Sequence, residues 1–106
     1  MEGKLLKILA PMEDVTDTVF RQILCAIGKP DISFTEFMNV NGYCSEGKDV
    51  VAKRISFEDI ERPIIVQLWG NSPENFAKAT KEIVKKIKPD GIDINMGCSV
   101  RDVLRT

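Results

Sequence analysis

Four short runs of branched apolar residues recur about every thirty residues along the chain: Leu5–Leu9 (LLKIL), Asp31–Thr35 (DISFT), Ile64–Leu68 (IIVQL) and Gly91–Ile94 (GIDI). Each has the length of a strand, and the stretches between them change to the period of a helix. Asp17–Ile27 puts Phe20, Ile23, Leu24 and Ile27 on one face, with Thr16 or Asp17 as N-cap and Gly28 followed by Pro30 as a stop. Before the fourth run, Ser72 can cap and Pro73 can take the first helical position. Phe76, Ala79, Ile83 and Ile87 then form an apolar stripe, with lysines gathering toward the helix end. The long connection from Phe37 to Pro63 reads as a loop through Asn39, Asn41 and Gly42, then a short helix over Glu46–Arg54 around Val50 and Val51.

Strands alternating with helices imply parallel β-α-β units with right-handed crossovers. A spacing of about thirty residues is what about 250 residues shared among eight units of a (β/α)8 barrel would give. The expected fold is therefore α/β, with parallel β/α units and about four strands, corresponding to the first half of a TIM barrel. A length of 106 residues with 43% apolar side chains suits a single domain over residues 1–106. After the fourth run the chain stops at Arg101-Asp102-Val103-Leu104-Arg105-Thr106 without a helix-ending signal, so it looks cut. An open parallel sheet leaves unpaired backbone on its outer strands, from which self-association is expected.

Sixteen acidic and fifteen basic residues leave a net charge of −1, too little field to gather nucleic acid or an anionic membrane over the whole surface. With no leader and no apolar run near ~18 residues, a soluble cytoplasmic protein is expected. Three dispersed cysteines and no histidine support neither a disulfide framework nor a zinc site. Cys25 fits a small core residue and Cys44 a loop residue. Lys78, Lys81, Lys85 and Lys88 form a stripe at helical spacing; the plainer reading is the wet face of an amphipathic helix, the alternative a contact with RNA phosphates.

The unusual residues cluster where the runs end: Ala10-Pro11-Met12, Thr35-Glu36-Phe37, Gln67-Leu68-Trp69-Gly70 and Asn95-Met96-Gly97-Cys98. In parallel α/β folds ligands bind at the carboxyl ends of the strands. Gln67 and Asn95 are amides that need partners if buried; each could bond to neighbouring backbone, while the two together suit a planar heterocycle with alternating donors and acceptors, such as a flavin ring. Gly70 and Gly97 fit either a close approach of that ligand or ordinary turns. Met12 fits equally a contact with an aromatic ring and a gap filled in the core. Trp69 and Tyr43 could stack on bases, but packing or a cofactor wall is the commoner role.

Ala10-Pro11-Met12, Val15-Thr16-Asp17, Phe20-Arg21, Thr35-Glu36, Val66-Gln67-Leu68-Trp69-Gly70 and Asp93-Ile94-Asn95-Met96-Gly97-Cys98, in this order and spacing, resemble the tRNA-dihydrouridine synthases. The resemblance covers essentially the whole chain but about the first third of a typical member. Other flavin barrels, such as dihydroorotate dehydrogenases, share parts of it.

The resemblance implies an FMN-dependent oxidoreductase in which NADPH reduces the flavin and hydride passes to carbon 6 of a uracil in tRNA. It implies that Ala10, Pro11 and Met12 lie along the flavin, that Gln67 and Asn95 hydrogen-bond its ring, and that Cys98 protonates carbon 5. A thiol with an ordinary pKa of about 8.5 is mostly protonated at neutral pH and can serve as that acid. The target base would be flipped out of its stack to reach such a pocket. The family motif usually continues Gly-Cys-Pro, and Ser99 stands here in the proline's place, which loosens the restraint on the preceding backbone or allows Ser99 to cap a helix running through Val103. Relatives take the FMN phosphate site, a lysine and a histidine near the flavin, and a tRNA-gripping helical domain from later segments. FMN is accordingly expected to bind weakly to this chain alone.

Overall fold

In the computed structural model, which describes residues 5–97, the expected alternation of strands and helices is present. In chain order the elements are β1 (Ile8–Leu9), α1 (Thr18–Gly28), β2 (Ile32–Phe34), β3 (Met38–Asn39), α2 (Val40–Tyr43), α3 (Lys48–Ala52), β4 (Ile64–Trp69), α4 (Pro73–Lys86) and β5 (Gly91–Ile94). Two 3-10 turns, Lys53–Ile55 and Asp59–Glu61, lead from α3 to β4.

All strand pairs are parallel. β1 pairs with β2, β2 and β3 both pair with β4, and β5 lies on the other side of β4. β2 and β3 thus follow one another along the same edge of β4, with Phe34 opposite Ile65 and Met38 opposite Leu68. Four residue steps on one strand match three on its neighbour, which is a bulge at residues 35–37. Beyond it, the ladder forms a short strand and α2 where the asparagines and glycine predict a loop. Pairing with β4 overrides the local turn preference there.

The second difference is at β1, which pairs only over Ile8–Leu9 and not from Leu5. Leu5 lies 85% exposed beside a strand with a single neighbour, so little holds it in the ladder.

Helix α4 forms as its sequence dictates: Ser72 accepts from Asn75 N at 3.2 Å, Pro73 takes the first turn, and Lys85 and Lys86 meet the negative end of the helix dipole. Its buried residues Ala79 and Ile83 pack on Val66 and Leu68 of β4, with Met38 and Val40 completing the centre of the core. Side chains alternate along β4, so Ile65, Gln67 and Trp69 look to the opposite face of the sheet.

Helix α1 is in place, capped by Asp17, which accepts from Phe20 N at 2.8 Å. Its apolar stripe is not buried: Val19, Ile23 and Ile27 are exposed, and its buried residue is Arg21. Arg21 pairs with Glu61 and donates to Thr16 O at 2.6 Å and Ser56 O at 2.7 Å. Glu61 also accepts from Thr18 Oγ1 at 2.6 Å and Glu58 N at 2.8 Å, which fastens the start of α1 to the turn before β4. No helix among the described residues is long and apolar enough to cross a membrane.

Candidate functional site

Adjacent strands β4 and β5 bring Gln67 and Asp93 into register, and both side chains fall on the face away from α4. Gln67 Nε2 donates to Asp93 Oδ2 at 2.8 Å, and Gln67 Oε1 accepts from Asn95 Nδ2 at 3.3 Å. Asn95 is held by its own N–H, which donates to Leu68 O at 2.8 Å, and its Oδ1 accepts from Gly97 N at 3.0 Å. The result is a seam, Asp93–Gln67–Asn95–Gly97, across the carboxyl ends of two strands. Thr35, fully buried at the end of β2, adds its hydroxyl, which accepts from Gln67 N at 3.1 Å.

Gln67 and Asn95 therefore meet: their amides bond to each other, Gln67 also to Asp93 and Asn95 also to the backbone N–H of Gly97. Each primary amide retains a second N–H beyond the one used in the seam. Asp93 was quoted in the family motif but given no role, because an acid inside an apolar run was read as part of the strand. Its period-two spacing from Asn95 was the available signal.

A second polar group gathers where β2 ends. Glu36 is 6% exposed, and its Oε1 has no hydrogen-bond partner among the described residues. Arg54 reaches it at 3.6 Å and also contacts Glu13 at 2.7 Å and Asp14 at 3.7 Å, both in the loop after β1. Burial pushes the Glu36 carboxyl above its ordinary pKa, an effect that Arg54 opposes, that the charges of Glu13 and Asp14 reinforce and that a hydrogen bond from the Asp14 backbone partly offsets. Sequence reasoning quoted Glu36 without giving it a role and missed Arg54, which lies eighteen residues away in the turn after α3.

Ala10, Pro11 and Met12 follow β1 at the same edge of the sheet. Met12 O accepts from Val15 N and Thr16 N, and Met12 N donates to Thr16 Oγ1, so the segment is folded into a turn with Met12 46% exposed. No hydrogen bond among the described residues joins these three to Gln67 or Asn95. Cys98, Ser99 and the expected helix through Val103 lie outside the described residues.

Gly70 has a packing reason for being glycine. At φ +154° a Cβ would stand 2.6 Å from Val40 Cγ2. Among the described residues nothing lies within 4 Å of a Cβ at Gly97. Trp69 meets Phe37 edge-on, with ring centroids 5.9 Å apart. Tyr43 is buried in the core, and Cys25 is half-buried. Among the described residues no group of three or more acidic or cysteine side chains is placed to hold a metal ion.

A family model described as dihydrouridine synthase (Dus) matches residues 8–106. Among curated proteins, the chain is 48% identical over 97 residues to the probable tRNA-dihydrouridine synthase 2 of Bacillus subtilis, covering 91% of this chain and 30% of that protein. It is 43% identical over 99 residues to a probable tRNA-dihydrouridine synthase of Staphylococcus aureus (strain COL) and 44% identical over 99 residues to one of Staphylococcus epidermidis. Each of these alignments covers 92% of this chain and 30% of the relative. The chain thus spans about a third of the length of these relatives.

Proposed function

Because the chain belongs to the dihydrouridine synthase family, we propose that it supplies the opening strands and part of the flavin-binding rim of an enzyme that reduces uridine to 5,6-dihydrouridine in tRNA. FMN is the proposed cofactor, NADPH the reductant and the cytoplasm the location. The observation that supports this most directly is the seam: two primary amides at adjacent strand ends, linked to each other and still able to donate.

The seam suits the edge of a flavin. Each amide keeps one N–H that can donate to a carbonyl of the ring's pyrimidine portion, and Asp93 and Gly97 hold the two amides in orientation. Gln67 and Asn95 would hold that edge. When bound, FMN supplies hydride transfer; the protein supplies binding and orientation. In this reading Ala10, Pro11 and Met12 wall one side of the ring. Asn95 also orients the incoming uracil, and the Cys98 thiol gives its proton to carbon 5 of the base. Thr35 fixes the backbone of Gln67, so the amide need not reorganise when the ring arrives.

A second reading is a non-catalytic half-barrel that self-associates and keeps these residues by descent. The exposed stripe of α1 favours it, as does an apolar cleft of about 710 Å³ beside β5, lined by Phe76, Val84, Ile92 and Ile94 among others.

Titrating the purified chain with FMN and following the flavin absorbance separates the two. Saturable binding that is weakened about tenfold or more in Gln67→Ala supports the rim, through the loss of a buried hydrogen-bonding amide. A chain that ignores FMN at every concentration supports the second reading. Where FMN binds, Cys98→Ala should keep it and lose uracil reduction; undiminished turnover in that variant removes Cys98 from the proton step.

A further inference from the structure

On the helical side of the sheet, away from the seam, a groove of about 640 Å³ runs between the segment joining α2 to α3 and the outer face of α4. Five lysines line it, Lys48 from α3 and Lys78, Lys81, Lys85 and Lys86 from α4, with Glu82 as the single acid. Such a concentration of one sign is unusual in a chain whose net charge is −1. Lys48 and Lys86 are both engaged with Glu82, whose carboxyl they hold down to about 2. Lys48 also lies over the Tyr43 ring at 4.7 Å. Lys78, Lys81 and Lys85 have no acidic partner among the described residues.

We propose that this groove binds the phosphate backbone of an RNA strand through Lys78, Lys81 and Lys85. The proposal rests on the reading above for the identity of the polyanion and adds a surface outside the flavin rim. The three ammonium groups share one helical face over about 10 Å of axis, at ~1.5 Å per residue, too far apart to converge on one small anion. They suit successive phosphates along a chain. All three are point charges without an arginine fork, which fits backbone contact independent of sequence and not the bidentate grip of one terminal phosphate. All three side chains are exposed, open to a strand laid along the helix.

Cys44 provides an internal reporter, because it is exposed and lines the groove, whereas Cys25 is half-buried on α1. Alkylation of each thiol by iodoacetamide is followed by mass spectrometry with a single-stranded RNA oligonucleotide, with unfractionated tRNA or with anionic phosphatidylserine vesicles. Both RNAs should slow modification at Cys44 and leave Cys25 unchanged. The K78Q/K81Q/K85Q variant should lose that protection, and its RNA affinity should fall at least about tenfold. Its salt dependence should become shallower by about two in log–log slope, for three contacts at ~0.7 each. RNA affinity unchanged in the triple variant, or protection by vesicles and not by RNA, overturns the proposal. The variant leaves the flavin rim intact. If RNA protects Cys44 while FMN never binds, the groove stands and the flavin rim on this chain falls; if FMN binds and the triple variant still holds RNA normally, the rim stands and the groove falls.

Discussion

Glu36 and Glu82 are two carboxylates pushed in opposite directions by their surroundings. Burial raises the pKa of Glu36 above its ordinary value of 4.5, so the folded chain favours its neutral form. The stability this gives is present below 4.5 and is lost as pH rises through the raised value. Wild-type protein should therefore lose thermal stability over that weakly acidic range, and Glu36→Gln should flatten that part of a melting-temperature profile followed by circular dichroism. Glu82 works the other way. Lys48 first, and then Lys86, lower its pKa to about 2, giving a contribution present above 4.5 and lost as pH falls toward 2. Glu82→Gln should remove that acid limb, and only modestly, because the group is exposed to solvent. At this scale, what was legible in the sequence was chemical type at strand ends: Gln67 and Asn95 stand out as amides after apolar runs. Their mutual bond and the Glu36–Arg54 contact were not legible, because strand register and long loops decide them.

Helix α1 shows what periodicity can and cannot tell. The spacing of Phe20, Ile23, Leu24 and Ile27 located the helix to within a residue at each end, and Asp17 caps it. Periodicity says which side chains share a face and nothing about what lies opposite. Arg21, quoted with Phe20 in the family resemblance but given no role by the helical period, is the residue that anchors the helix. In the buried pair it forms with Glu61 each guanidinium nitrogen and each carboxylate oxygen has a hydrogen-bond partner, so removing one residue strands a charge. Arg21→Ala should cost about 3–5 kcal/mol. Urea denaturation should show that loss, with the Arg21→Ala/Glu61→Ala double variant costing less than the two single changes added together. If the costs simply add, the two side chains are not coupled. The bulge at residues 35–37 was invisible in the sequence for a related reason, since it exists only as a mismatch between β2–β3 and β4.

For the molecule as a whole, the regular spacing of apolar runs was enough to give parallel order, because each crossover brings the next strand back in the same direction. It does not say what covers the flanks. Among the described residues β1 pairs only with β2 and β5 only with β4, and both flanks carry apolar surface, on α1 at one side and in the cleft beside β5 at the other. Sedimentation velocity should accordingly show weight-average size rising with protein concentration, and Val19→Lys/Ile23→Lys should reduce it. A uniform monomer at all concentrations would contradict this. The seam of Asp93, Gln67 and Asn95 then sets the direction in which any assembly grows. Around the seam that face carries polar groups already bonded to one another, which gain little from a layer stacked upon them, while Ile65 and Trp69 share the face with them; added copies, or further strands of a longer chain, would lengthen the sheet sideways and curl it around those residues instead of burying the rim as one layer of a sandwich.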